Sequence, residues 1–206
     1  MFTKISLFFS ALCILLLMNA LNLTDGINGL ASGFASLWLL TLSYFSSEYN
    51  VFALLLILSS FMMINTVLII RGNYFLGDSG TLFLGSLVGF LTIYVYNNQI
   101  QLGNFISIEK IFVFFMIPGI DMFRLFCVRL LKKKDPFGGD LNHLHHILIK
   151  KFSIYQTLLI YLFAFLSSNI VSYYEIISPT LVIIFYSAIY VFFVFFSKKK
   201  LKNTSN

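Results

Sequence analysis

His143, His145 and His146 are the chain's only histidines, and they stand in one basic loop together with Pro136, Phe137 and Asp140. The whole polar segment, DMFRLFCVRLLKKKDPFGGDLNHLHH at 121–146, adds Arg124, Arg129 and a run of lysines. Cations beside imidazoles suit the polyanionic transition state of phosphoryl transfer, where positioning and charge neutralisation supply most of the catalysis. Zinc is a rival use for clustered histidines. The H-x-H-H spacing lacks separated ligand pairs and any nearby cysteine, which argues against it.

Two more polar segments lie upstream. NLTDGINGLASG, residues 22–33, spaces Asn22, Asp25 and Asn28 by three, so that all three share one side of a helix end, while Gly26, Gly29 and Gly33 permit tight turns. A helix cap followed by a small-residue packing face would explain the same letters. GDSGTLFLG, residues 77–85, sets Asp78 and Ser79 at the start of a helix. There, free N–H groups and the positive end of the dipole favour an anion such as a diphosphate with its metal. Ordinary N-capping by either residue is the plainer account.

The elements that must position these segments are membrane spans. The chain has 206 residues, 59% of them hydrophobic and 11% charged, with repeated apolar runs of about 17 to 21 residues, the length that crosses a bilayer core. Helices are the only assignment that satisfies the backbone in lipid. The periodicity predicts an all-α polytopic bundle of about seven spans, at 5–21, 31–47, 51–70, 81–97, 107–128, 153–173 and 178–197. Pro118-Gly119 should kink the fifth, and Ser178-Pro179 fits the start of the seventh. No repeat or linker interrupts it, so a single membrane domain, 1–206, is expected.

Alternation along these spans sets the loops at 22–30, 71–80 and 129–152 and the tail after 197 on one side. Of the fourteen Lys and Arg residues only Lys4 and Lys110 lie elsewhere, so by the positive-inside rule this face is cytoplasmic. Asp25, Asp78, Asp121, Asp135 and Asp140 share it, with Glu48, Glu109 and Glu175 opposite. Turn preference explains some of this but not Asp121 inside an apolar helix, which needs a partner; Arg124 at i+3 is the obvious one.

Several classes are disfavoured. The net charge of +6 sits in short loops beside apolar spans, so membrane orientation explains it without nucleic acid. Cys13 and Cys127 lack a CxxC spacing and read as helix-core residues. Met1 to Leu17 has no clear small-residue cleavage site after it and reads as a retained span. A cation transporter would carry charges along several mid-helix positions, and Asp121 with Arg124 near a helix end is almost all there is.

Taken together, NLTDGINGL, GDSGTLFLG and PFGGDLNHLHH resemble, in order, spacing and sidedness, the polyprenyl-phosphate N-acetylhexosamine-1-phosphate transferases, glycosyltransferase family 4. The resemblance runs from Leu17 to about Lys151. It implies that a polyprenyl phosphate, such as undecaprenyl phosphate, attacks the sugar-linked phosphate of a UDP-N-acetylhexosamine. UMP is released, and cell-wall, lipopolysaccharide, O-antigen or related glycan synthesis begins in a bacterial inner membrane. It implies Mg2+ or Mn2+ as cofactor, with Asp78 matching the family's metal-binding aspartate and Asn22 beside it. Asn22, Asp25 and Asn28 match the nucleotide-sugar segment, and His143, His145 and His146 the histidine motif at the phosphate. Arg124, Arg129 and Asp140 are supporting substrate-binding candidates.

The family often has a second aspartate where this chain has Asn28, which removes a charge but keeps a hydrogen-bonding group. Family members also carry several helices before the first motif and an Asp-Asp pair in an earlier cytoplasmic loop, and this sequence has no Asp-Asp. Seven spans would put Met1 outside although Lys4 favours the inside. The expectation is therefore the C-terminal portion of a larger family fold, from a truncated frame, a misassigned start or a split protein. The alternative is a catalytically silent membrane subunit that binds nucleotide sugar, acting as a homodimer or with a complementing chain.

Overall fold

The computed structural model describes residues 4–102, 106–135 and 143–203, and among them there are helices and turns but no strand. The helices are α1 Lys4–Asn22, α2 Leu30–Phe45, α3 Tyr49–Ile70, α4 Gly77–Gln101, α5 Ile108–Leu131, α6 Leu144–Leu148, α7 Ile154–Tyr173 and α8 Pro179–Asn203. Each expected span has its helix, and α6 is an extra one of a single turn or so. Four of them, α3, α4, α5 and α7, are long and apolar enough to cross a membrane, and α1, α2 and α8 hold the shorter apolar stretches Leu7–Asn22, Leu30–Phe45 and Pro179–Phe195. The chain is a polytopic all-α membrane protein. Rings turned outward fit that solvent: Phe83 is 63% exposed and Phe163 73%, which water would penalise and lipid tails do not.

The chain divides into two compact units, Met1–Ser107 and Ile108–Asn206. In the first, α1 packs on α4, and α2 packs on both α3 and α4. Small residues set these distances, as is usual where apolar surfaces gain nothing by leaving lipid. A Cβ on Gly85 of α4 would lie 2.7 Å from Met18 Cα of α1, so only glycine lets these backbones approach so closely. Between α2 and α3, Ser36 Oγ donates to the Ser59 carbonyl at 3.1 Å and Ser59 Oγ returns a bond to the Ser36 carbonyl at 2.9 Å. Trp38 is wholly buried and stacks on Phe34, with centroids 5.8 Å apart.

In the second unit α5 packs on α7 and α8, α7 on α8, and α6 on α8. The α5 helix runs on through Pro118. A capping box opens α7, with Ser153 Oγ accepting from Gln156 N at 3.2 Å and Gln156 Oε1 accepting from Ser153 N at 3.0 Å. Pro179 takes the first position of α8, where its missing N–H costs nothing. At the end away from α6, Lys110 Nζ pairs with Glu175 Oε1 at 2.6 Å.

Two expectations change. The fourth helix starts at Gly77, not 81, with Leu76 at the cap and no side-chain cap bond, so neither Asp78 nor Ser79 is the N-cap. Both lie in the first turn instead. Cys13 is exposed on α1 and is not a core residue. Asp140, with Pro136 and Phe137, falls outside the described residues.

Candidate functional site

Two clusters of polar side chains carry the candidate chemistry, one in each unit. The first forms where α1 ends. After Asn22 the backbone tightens through Thr24 N to Leu21 O at 3.0 Å and Asp25 N to Asn22 O at 3.1 Å, and Thr24 Oγ1 donates to Leu21 O at 2.7 Å. Buried Ile27 anchors the far side of the turn. Asp25 is thereby carried to the start of α4, where its Oδ2 accepts from Gly77 N at 3.2 Å. Gly77 has φ +67°, a left-handed conformation that glycine adopts without strain. One turn further on, Thr81 Oγ1 donates to Asn22 Oδ1 at 2.7 Å.

Asp78 follows Gly77 and is exposed, while Asp25 is half-buried. Burial foremost, with the Asp78 charge adding to it, raises the Asp25 carboxyl above its ordinary range, and the bond from Gly77 N opposes the rise. Two carboxylates and an amide oxygen from these adjoining segments make a donor set suited to a hard cation. Asn28 is exposed, so of the three residues spaced by three only Asn22 and Asp25 reach α4.

The second cluster is centred on Asp121 of α5, which is 5% exposed. Its Oδ2 accepts from His143 Nδ1 at 2.9 Å and its Oδ1 from Leu144 N at 3.2 Å. Oδ1 also accepts from Arg124 Nη2 at 3.0 Å and from the Tyr190 hydroxyl, and Arg124 Nε donates to Tyr190 Oη at 2.7 Å. The i+3 partner expected for Asp121 is therefore in place. The histidine rings pack on one another, His143 on His145 at 5.3 Å and His145 against His146 at 4.2 Å between centroids.

His145 is 1% exposed, and its Nε2 is buried with no hydrogen-bond partner. Burial foremost, then the neighbouring His146 and His143, pushes its imidazole down to about 3 against the pull of Asp121. At neutral pH it is an uncharged ring. His146 is half-buried, Arg129 is buried, and Lys132, Lys133 and Lys134 are exposed. Asp121, His143 and His145 each offer a ligand atom within 4.8 Å of the others. With Arg124 already offsetting the carboxylate charge, a hydrogen-bonded network describes this group better than a metal cage.

The structure thus joins Asn22 and Asp25 to the first turn that carries Asp78, and joins Arg124 to the histidines through Asp121. Thr81, Tyr190 and the central place of Asp121 were not foreseen. Asp121 had a signal, as an ionisable group in an apolar helix; Tyr190 and Thr81, ordinary letters within apolar runs, had none.

Residues 1–96 match the model of the family described as Glycosyl transferase family 4. The chain is 30% identical over 145 residues to the undecaprenyl-phosphate alpha-N-acetylglucosaminyl 1-phosphate transferase of Yersinia pestis, covering 65% of this chain and 38% of that protein. The protein of the same name from Escherichia coli strain K12 is 29% identical over the same shares. That from Thermotoga maritima is 26% identical, over 70% of this chain and 43% of its own length. The chain thus spans well under half the length of these curated relatives. No solved structure matches it significantly. Residues 1–96 are thus similar to glycosyl transferase family 4, and the likeness to these relatives runs over about two thirds of the chain.

Proposed function

We propose that this chain carries the nucleotide-sugar and phosphate-handling portion of a polyprenyl-phosphate N-acetylhexosamine-1-phosphate transferase, in a bacterial inner membrane with its polar loops cytoplasmic. In this reaction an oxygen of the lipid phosphate bonds to the sugar-linked phosphorus of a UDP-N-acetylhexosamine. The bond from that phosphorus to the bridging oxygen breaks, and UMP leaves with the electron pair. The observation that carries the reading is the bond from Gly77 N to Asp25 Oδ2, which draws the first polar segment onto the helix turn bearing Asp78. The names of the relatives, all undecaprenyl-phosphate sugar-1-phosphate transferases, support it from outside.

Asp78, exposed and adjacent to Asp25, is the residue to hold Mg2+ or Mn2+, with Asp25 and the second lone pair of the Asn22 amide oxygen completing an all-oxygen donor set. Such an ion, when bound, offsets charge on the diphosphate. Asn22, Asp25 and Asn28 are read as hydrogen-bonding the nucleotide sugar. His143 and His146 are read as orienting phosphate oxygens, with Arg129 and Asp140 in support. Arg124, tied to Asp121, shapes this segment from behind.

The test is UMP release from UDP-N-acetylglucosamine, undecaprenyl phosphate and Mg2+ by the purified chain and by an Asp78→Ala variant. A signal that drops by a hundredfold or more in the variant is expected, since carboxylate positioning of a charged group commonly supplies that much, roughly 3 kcal/mol. Equal signals would remove Asp78 from the mechanism. Binding of the nucleotide sugar without release would favour a subunit that needs a complementing chain.

A further inference from the structure

Asp121 takes no part in the reaction proposed above, yet its buried side chain is richly hydrogen-bonded. Its two oxygens accept from His143 Nδ1, Leu144 N, Arg124 Nη2 and the Tyr190 hydroxyl. His143 precedes α6 and Leu144 opens it, so this one carboxylate fixes both a histidine ring and the backbone on which His145 and His146 stand. It reaches them across 22 positions of sequence.

A carboxylate paired with Arg124 can only accept, so His143 Nδ1 must carry the proton in that bond. The other ring nitrogen, Nε2, is then the one Asp121 does not engage. An imidazole oriented from behind by a carboxylate has its tautomer and ring plane set before any ligand arrives, and removing such a partner commonly costs 10- to 100-fold. Tyr190 serves the arrangement from α8, because its hydroxyl donates to Asp121 and accepts from Arg124 Nε. Both Asp121 and Tyr190 are nearly excluded from solvent, at 5% exposed each, so water does not compete for these bonds.

We infer that Asp121, braced by Arg124 and Tyr190, is a positioning residue that holds His143 in its Nδ1–H tautomer and aligns the start of α6 for contact with a phosphate group. The proton on Nδ1 follows from the geometry alone; its use in the reaction rests on the transferase reading.

With only three histidines in the chain, 15N-histidine labelling of the full chain in lipid nanodiscs resolves each ring, assigned by single His→Gln variants. The expected result is an Nδ1–H tautomer for His143 that gives way to Nε2–H in Asp121→Asn, whose amide can donate to Nδ1, and that is retained in Asp121→Glu. An Nε2–H His143 in the unaltered chain would overturn the assignment, and this spectrum decides it even if Asp121→Asn does not fold. The reaction arm is separate. Where the unaltered chain releases UMP, Asp121→Asn should lower kcat by 10- to 100-fold with little change in KM for the UDP-sugar, and Asp121→Glu should recover part of it. Unchanged kcat alongside a shifted tautomer would refute the role in the reaction, whereas neither UMP release nor binding of the UDP-sugar by any chain refutes the transferase reading and leaves the tautomer standing.

Discussion

Thr81 Oγ1 lies 2.7 Å from Asn22 Oδ1, joining the last residue of α1 to the first turns of α4 across 59 positions of sequence. Thr81 is wholly buried and Asn22 half-buried, so the bond holds the two polar segments of the first unit together at their tips. Valine fills the same volume without the hydroxyl. Thr81→Val should therefore cost about 0.5–1.5 kcal/mol, the net worth of one hydrogen bond. A double-mutant cycle with Asn22→Ala, read by thermal unfolding, should return coupling of the same size; additive losses would mean the pair does not interact.

Three glycines, two of them lower along the same helix pair and one on α5, should respond differently to alanine. At Gly85 the new Cβ would meet Met18 Cα at 2.7 Å, a backbone atom that cannot move alone, and overpacking of this kind costs about 1–3 kcal/mol. At Gly89 the nearest atom is Ile14 Cγ1 at 3.1 Å, the end of a side chain that can shift, so the loss should be smaller. Gly119 of α5 has nothing within 4 Å of the added carbon, and alanine there should be neutral or stabilising by up to about 1 kcal/mol. Midpoint temperatures that fail to follow the order 119, 89, 85 would refute close α1–α4 packing.

The spans were legible because roughly twenty apolar residues between polar loops leave the backbone no choice but a helix. What stayed hidden was decided by contacts between distant residues. Gly77, Asp78, Ser79 and Gly80 read as a loop or cap, yet α4 already opens at Gly77, which is held by the carboxylate of Asp25 from another segment. The short helix α6 is only five residues, too few to display a period, and its start is fixed by Asp121 on α5. The i+3 pair of Asp121 and Arg124 was readable because it is local. Tyr190, which completes the same group from α8, was not.

Reciprocal serine bonds between α2 and α3 offer a second measure of packing in lipid. Ser36 and Ser59 are 4% and 5% exposed, and each hydroxyl donates to the other's carbonyl. Replacing either by alanine should cost only about 0.6 kcal/mol, the average for interhelical hydrogen bonds in membranes. Ser36→Leu should cost several times more by forcing the helices apart. Unfolding in mixed micelles by increasing SDS would report both, and equal effects of the two substitutions would argue that the helices do not touch at these positions.

The Asp25–Asp78 neighbourhood predicts a response to divalent ions that does not depend on turnover. A ligand that binds only the folded chain raises its stability, by about 1.4 kcal/mol at roughly ten times its dissociation constant. Millimolar Mg2+ should therefore raise the midpoint temperature of the unaltered chain, and much less so that of Asp78→Asn. An equal rise in both would locate Mg2+ elsewhere.

Acid should loosen the second unit through His145. Its imidazole is held down to about 3 in the folded chain, chiefly by burial, against an ordinary value of 6.5. Between those values the unfolded chain binds a proton that the folded chain refuses. The stability His145 allows is thus complete above about pH 6.5 and declines as pH falls toward 3, below which both states carry the proton and the slope ends. His145→Gln cannot titrate, so its midpoint temperature should fall less between pH 7.5 and pH 4.5 than that of the unaltered chain, while the carboxylates titrate equally in both. Parallel pH profiles for the two chains would show that His145 accepts its proton without opening the fold, and would take the buried neutral ring out of the acid response.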